Sequence, residues 1–171
     1  LSSVVDRDVE NRFFNLIIAS LYFSDLPERY EFIPKAHQDT FHWLFANDAQ
    51  QQQQMDTDDW DSFTEWLSAT DGKNVFWISG KSGSGKSTLM KYLFNDKRTI
   101  TNLRTWTDGM PLQKAGFFFW NSGTVMQMSR MGLLRSLLHT VLQHDQDTVI
   151  QLFAHRWQQF VATGGGRQPF T

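Results

Sequence analysis

Residues 80–87 read Gly-Lys-Ser-Gly-Ser-Gly-Lys-Ser, a complete G-x-x-x-x-G-K-[ST] run, which is the spacing of a phosphate-binding loop. The chemistry needs these residue types. Gly80, Gly83 and Gly85 carry no Cβ, so the backbone can curl and bring its N–H groups to phosphate oxygens. Lys81, Ser82 and Ser84 fill the variable positions between them. Lys86 supplies a compact positive charge for the β- and γ-phosphates. Ser87 offers a hydroxyl to Mg²⁺, and Thr88 can add a bond to an α- or β-phosphate oxygen. Residues 80–88 are therefore the candidate nucleotide-binding site, and the bland alternative is a flexible Gly/Ser turn.

Such a loop is set between a strand and a helix, and both flanks have the composition. Val75-Phe76-Trp77-Ile78-Ser79 is β-branched and aromatic, and residues 88–94 place apolar side chains at helical spacing. The N–H groups and dipole at the start of that helix favour anions. Elsewhere, Val5, Val9, Phe13, Leu16, Ile17 and Leu21 predict an amphipathic helix over 4–24, capped by Ser2 or Ser3 and broken at Pro27. A second helix is expected from Pro34, carrying Ala36, Phe41, Leu44 and Phe45. Five glutamines, 50–54, and the acids Asp56, Asp58 and Asp59 read as a low-complexity loop or linker. Trp60, Phe63, Trp66 and Leu67 predict a short helix leading into the turn Asp71-Gly72. Residues 95–114 read as polar and irregular, with turn signals at Asp108-Gly109 and Pro111. Residues 115–120 read as a second buried strand, followed by helices from Ser129 through Leu142 and over about 148–161, then a glycine-rich close.

Hydrolysis generally needs an acid at the end of an apolar strand, to help hold Mg²⁺ and orient water. The strand over 116–120 ends in Asn121 instead. Asp145 and Asp147 lie at a helix end, and Asp96 and Asp108 lie in polar stretches, so none of these qualifies. Only two strands are legible, where a three-layer nucleotide-binding domain uses about five. The chain also begins at Leu1 with its first methionine at Met55. Both points favour a piece of a longer protein.

Composition narrows the classes. The 171 residues are 40% hydrophobic and 15% aromatic, enough for a core. A net charge of −2 gives no argument for non-specific nucleic-acid binding. Without cysteine there is neither a disulfide framework nor a cysteine metal site. The most apolar stretch, 13–23, is too short to span a bilayer and has no signal-peptide flanks. His37 and His42, like His139 and His144, are five apart, off the spacing by which a helix chelates metal. Arg135 is either a functional arginine or a helix-surface residue, and Asn121 and Ser122 sit at a strand end where ligands collect.

Taken together, Arg29-Tyr30, Ile33-Pro34-Lys35-Ala36-His37, Thr40-Phe41-His42-Trp43-Leu44-Phe45, Phe63-Thr64-Glu65-Trp66-Leu67, residues 76–93, residues 117–123 and residues 132–138 carry a more specific signal than the loop alone. In these motifs the sequence resembles the NACHT-type P-loop NTPases of filamentous fungi, whose nucleotide domain is described as nephrocystin-like, within the class of signal-transducing ATPases with numerous domains. The resemblance covers most of residues 29–160. It implies binding of ATP or ADP with Mg²⁺ at residues 80–88, with Ser87 toward the metal. It implies conformational switching in a large cytoplasmic receptor with other domains in the parent chain, and oligomerisation on activation. In that family the acidic metal-binding strand follows the point where this chain ends.

The expected fold class is α/β, an incomplete P-loop NTPase three-layer fold preceded by a helical N-terminal segment. The expected division is a helical segment over 1–49, the Gln/Asp-rich loop over 50–59 and the N-terminal half of a nucleotide-binding domain over 60–171. The expected function is ATP binding as part of a switch, without competent hydrolysis by this chain alone. A catalytic P-loop enzyme is the second possibility, although no Asn-Lys-x-Asp guanine-reading motif, Leu-Ser-Gly-Gly-Gln signature or arginine-rich kinase lid is present. A non-enzymatic interaction module with an inert loop is the third. Neither a nucleic-acid partner nor a membrane span is expected.

Overall fold

The computed structural model describes residues 2–37, 40–45, 62–70 and 75–165, and of 2–6 the backbone alone. The expected loop over 50–59 and the turn at Asp71-Gly72 lie outside the described residues. The described residues are helical: α1 (Ser2–Leu21), α2 (Glu28–Phe32), a 3₁₀ turn (His42–Phe45), α3 (Phe63–Ser68), α4 (Lys86–Asn95), α5 (Lys97–Trp106), α6 (Val125–Met128), α7 (Arg130–Leu142), α8 (Gln146–Leu152) and α9 (Ala154–Ala162).

The α/β expectation is overturned, because the described residues include no strand. Both apolar runs expected as strands, 75–79 and 115–120, lack ladder pairing. The first alternates as a strand would, with Val75 and Trp77 exposed and Phe76 and Ile78 packed inward. Its inward side chains join a helical cluster, however, and no second segment among the described residues supplies a ladder. A run of strand-like composition is not a strand until another backbone pairs with it. In the second run, Trp120 N–H bonds back to the Gln127 carbonyl (3.1 Å), and Gly123 N–H to the Trp120 carbonyl (2.9 Å). Those bonds close a turn into α6.

The chain divides into two compact units, Leu1–Arg29 with Lys114–Thr171, and Tyr30–Gln113. In the first, α1 packs on α7, α8 and α9. Its apolar stripe Phe13, Ile17 and Leu21 is buried with Leu142, Val149 and Phe160. The Phe13 ring meets Trp157 edge-on at 5.2 Å and Phe160 at 5.4 Å. In the second unit Leu44, Phe63, Leu67, Leu89 and Leu93 form the core. Phe76 packs edge-on against Phe63 at 5.2 Å and against Trp66 at 5.2 Å. Part of the aromatic excess is thus core material in both units, while Phe32, Trp77, Trp106 and Phe119 are exposed.

Helix ends follow local chemistry. Ser129 accepts from Gly132 N–H (3.2 Å) and caps α7, as expected. Ser62 caps α3 and Thr124 forms a capping box with Gln127 in α6. Of the helix expected from Pro34, residues 34–37 are not helical, and the described part of its later half is the 3₁₀ turn His42–Phe45, which holds Leu44 and Phe45. The stretch expected to be irregular after Asn95 contains α5, capped by Asp96. The single helix expected over 148–161 is two, parted at Phe153 (φ −106°, ψ 33°). No helix among the described residues is long and apolar enough to cross a membrane.

Candidate functional site

Two residues of the loop adopt backbone conformations that L side chains avoid: Gly83 has φ +78° and Gly85 has φ +85°. Left-handed residues within such a run turn successive N–H groups toward one side, the geometry of an anion nest. Ser84 N–H closes the loop onto the Lys81 carbonyl (3.2 Å), and Leu89 N–H makes the first helical bond to the Gly85 carbonyl (2.8 Å). Gly85 is the N-cap of α4 and has no side chain to cap it. The N–H groups of Lys86, Ser87 and Thr88 therefore begin the helix without an intrahelical acceptor.

Lys86 is the hub of this loop. Its Nζ donates to the carbonyls of Gly80 (2.7 Å) and Lys81 (2.6 Å), with a longer contact to Ser84 Oγ (3.4 Å). An ammonium has three donors. Two are held firmly by the loop, which fixes the head group over residues 80–85. The third is held only weakly, by Ser84 Oγ. Lys81, Ser82 and Ser84 are exposed, whereas Lys86, Ser87 and Thr88 are half-buried.

What holds α4 in place was not legible in the motif. Leu89 and Leu93 bury its inner face in the aromatic cluster. Lys91 donates to the carbonyls of Tyr30 (2.6 Å), in α2, and of Ile33 (2.7 Å), just after it, and lies over the Tyr30 ring at 4.5 Å. Tyr30 in turn donates its hydroxyl to Asn95 Oδ1 (2.8 Å). At the far end, Arg98 donates to both carboxylate oxygens of Asp96 (3.0 and 2.8 Å) and to the Tyr92 hydroxyl (2.6 Å). Its guanidinium lies 4.1 Å from the centre of the Phe45 ring. Hydrogen bonds from Arg98 hold the Asp96 carboxyl at about 2, below its ordinary value. The Tyr92 hydroxyl is raised, chiefly by burial.

The acids weighed from the sequence are mostly engaged in helix architecture. Asp96 caps α5, and Asp145 caps α8 through Thr148 N–H (3.0 Å) and Oγ1 (2.7 Å). Asp108 sits in a turn with φ 46°. Among the described residues no group of three or more His, Asp or Glu could hold a metal ion. His139 packs against the Tyr22 ring at 5.5 Å, and burial lowers its basicity.

Arg135 belongs to the other unit, in the middle of α7, where it holds the end of α1. Its guanidinium donates to the carbonyls of Ser20 (2.5 Å), Leu21 (3.3 Å) and Tyr22 (3.0 Å) at the C-terminus of α1. A cation is favoured there by the helix dipole. Asn121 and Ser122 lie in the turn after Trp120. Near them in sequence, buried Gln127 donates to the Asp25 carbonyl (2.7 Å) and accepts from Thr124 N–H (2.9 Å), tying this turn to the one that follows α1.

The sequence profile of the family described as Nephrocystin 3, N-terminal matches residues 39–167, about three quarters of the chain. Comparison with curated proteins and with solved structures gave no match.

Proposed function

We propose that this chain, which belongs to the Nephrocystin 3, N-terminal family, binds the phosphates of ATP or ADP through residues 80–88. The observation that carries this is Lys86, fixed by two loop carbonyls at the mouth of an uncapped helix N-terminus, with left-handed Gly83 and Gly85 beside it. Anions are favoured at such a helix start. Lys86 would neutralise the β- and γ-phosphates, with N–H groups of the loop and first helical turn around them. Ser87 would offer its hydroxyl to Mg²⁺, which when bound shields phosphate charge. Thr88 would add a bond to an α- or β-phosphate oxygen. The proposal rests on the loop and its helix and does not call on a sheet.

Within that reading, the motifs resembling NACHT-type fungal P-loop proteins favour a part in an ATP-responsive signalling switch over turnover of a metabolite. Titration of ATP and ADP, each with Mg²⁺, into wild type and Lys86→Ala tests the site. Wild type is expected to bind, and the variant to lose about tenfold or more, the scale of a charge-assisted hydrogen bond. Equal, negligible affinity in both proteins would overturn the proposal.

A further inference from the structure

Helix α7 is apolar on its outer face as well as its inner one: Leu133 and Leu137 are half-buried and Leu142 is buried, yet a second set of apolar side chains is exposed. Its buried positions include Gly132 and Ser136 as well as Leu142. Its exposed positions are Arg130, Met131, Leu134, Leu138 and Val141, and the last four are 60%, 55%, 38% and 39% exposed. Their spacing is three, four and three, the a, d, a, d seam of a helix pair. We propose that this stripe is the contact surface between two copies of this chain, pairing α7 antiparallel about a two-fold axis.

The stripe is complementary to itself in that arrangement. With the axis level with Ser136, Met131 of one copy meets Val141 of the second, and Leu134 meets Leu138, so long side chains face short ones and equal ones face equal. The charges agree. Arg130 is brought over the C-terminal end of the other α7, near Leu142, Gln143 and the carboxylate of Asp145, where a cation is favoured. Parallel pairing would set the two Arg130 side chains side by side. Arg135, flanking the seam, has its guanidinium committed to the α1 carbonyls and turned away. The area sets the strength. Four partly exposed side chains with the stems of their neighbours fall short of the roughly 800 Å² per partner of a standard interface. The dimer is therefore weak and reversible, with a dissociation constant on the order of 10–100 µM.

The proposal is independent of nucleotide binding, so Lys86→Ala should associate like wild type. Sedimentation velocity of the full chain, from about 5 to about 500 µM, brackets that affinity. Wild type should move from monomer to dimer, and Leu134→Glu with Leu138→Glu should raise the dissociation constant about tenfold or more while keeping the helical circular dichroism. Val161→Glu, at an exposed apolar position of α9, should change nothing. Because the chain has no cysteine, register can be read directly. A mixture of Met131→Cys and Val141→Cys proteins should form the mixed disulfide dimer in preference to either homodimer. A wild type that stays monomeric across the range, a dimer indifferent to the stripe variants, or preferential Met131→Cys homodimers would overturn the proposal.

Discussion

Alanine at Gly85 separates the geometry of the loop from its contacts. A Cβ built there has no neighbour within 4 Å, yet the residue holds φ +85°. The substitution therefore adds no clash and acts through the backbone alone. Holding alanine in the left-handed region costs roughly 1–2 kcal/mol. If the loop must keep that conformation to grip phosphate, the competent fraction falls about 5- to 30-fold, and the apparent dissociation constant for ATP rises by the same factor. Gly80→Ala is the matched contrast. Its Cβ would sit 2.9 Å from Ser84 Oγ, the free end of a small side chain that can rotate away, and its φ is not in the left-handed region. That variant should bind within about twofold of wild type, since a local shift of this kind costs about 0.5 kcal/mol or less. Calorimetric titration with Mg²⁺ and ATP gives the affinities, and thermal melts should show Gly85→Ala only a few degrees below wild type. Unchanged affinity in Gly85→Ala, or an equal loss in Gly80→Ala, would refute the claim that this backbone shape does the gripping.

Two further predictions concern stability. Arg135→Met removes all three bonds to the end of α1, and urea denaturation should show a loss of about 1–2 kcal/mol, with Arg135→Lys recovering only part. Asp96 gives a pH signature. Its carboxyl is held at about 2 against an ordinary 3.8, so its contribution is fully present above about pH 4 and is lost as the pH falls toward 2. Full linkage would give about 2.5 kcal/mol, but Arg98 is 41% exposed and solvent screening reduces this to about 1 kcal/mol. The stability gap between wild type and Asp96→Asn, measured from pH 7 to pH 2.5, should therefore narrow toward acid. A gap that is constant with pH would refute the assignment.

Local features were legible in the sequence and pairings were not. Ser129 could be recognised as a cap because its partner is Gly132, three residues on. The α1 stripe could be recognised because Phe13, Ile17 and Leu21 recur at helical spacing. Helix α5 is hard to read from the sequence although Asp96 is a usable start signal, because the turn residues Asp108-Gly109 and Pro111 dominate the stretch. Its inward residues Thr99 and Leu103 do recur four apart. The strands failed for a deeper reason. Phe76 and Ile78 are as compatible with a helical core as with a sheet, and alternation alone does not say what will pair with the backbone. Arg135 is similar, since the carbonyls it holds lie more than a hundred residues away.

The same distinction explains why the loop survives the loss of the expected sheet. Its shape is set by bonds that span at most six residues: Ser84 to Lys81, Leu89 to Gly85, and Lys86 to Gly80 and Lys81. Such bonds form wherever the glycines allow the turn. What a single segment cannot supply is an anchor for the helix that follows. Here that anchor comes from helical contacts: Leu89 and Leu93 in the aromatic cluster, and Lys91 on carbonyls 58 and 61 residues away. A change at Lys91 should therefore loosen α4 against Tyr30 and Ile33 while leaving the bonds within the loop intact. On the proposed function, the motif would supply the grip on phosphate, and the packing of α4 would set how firmly it is held.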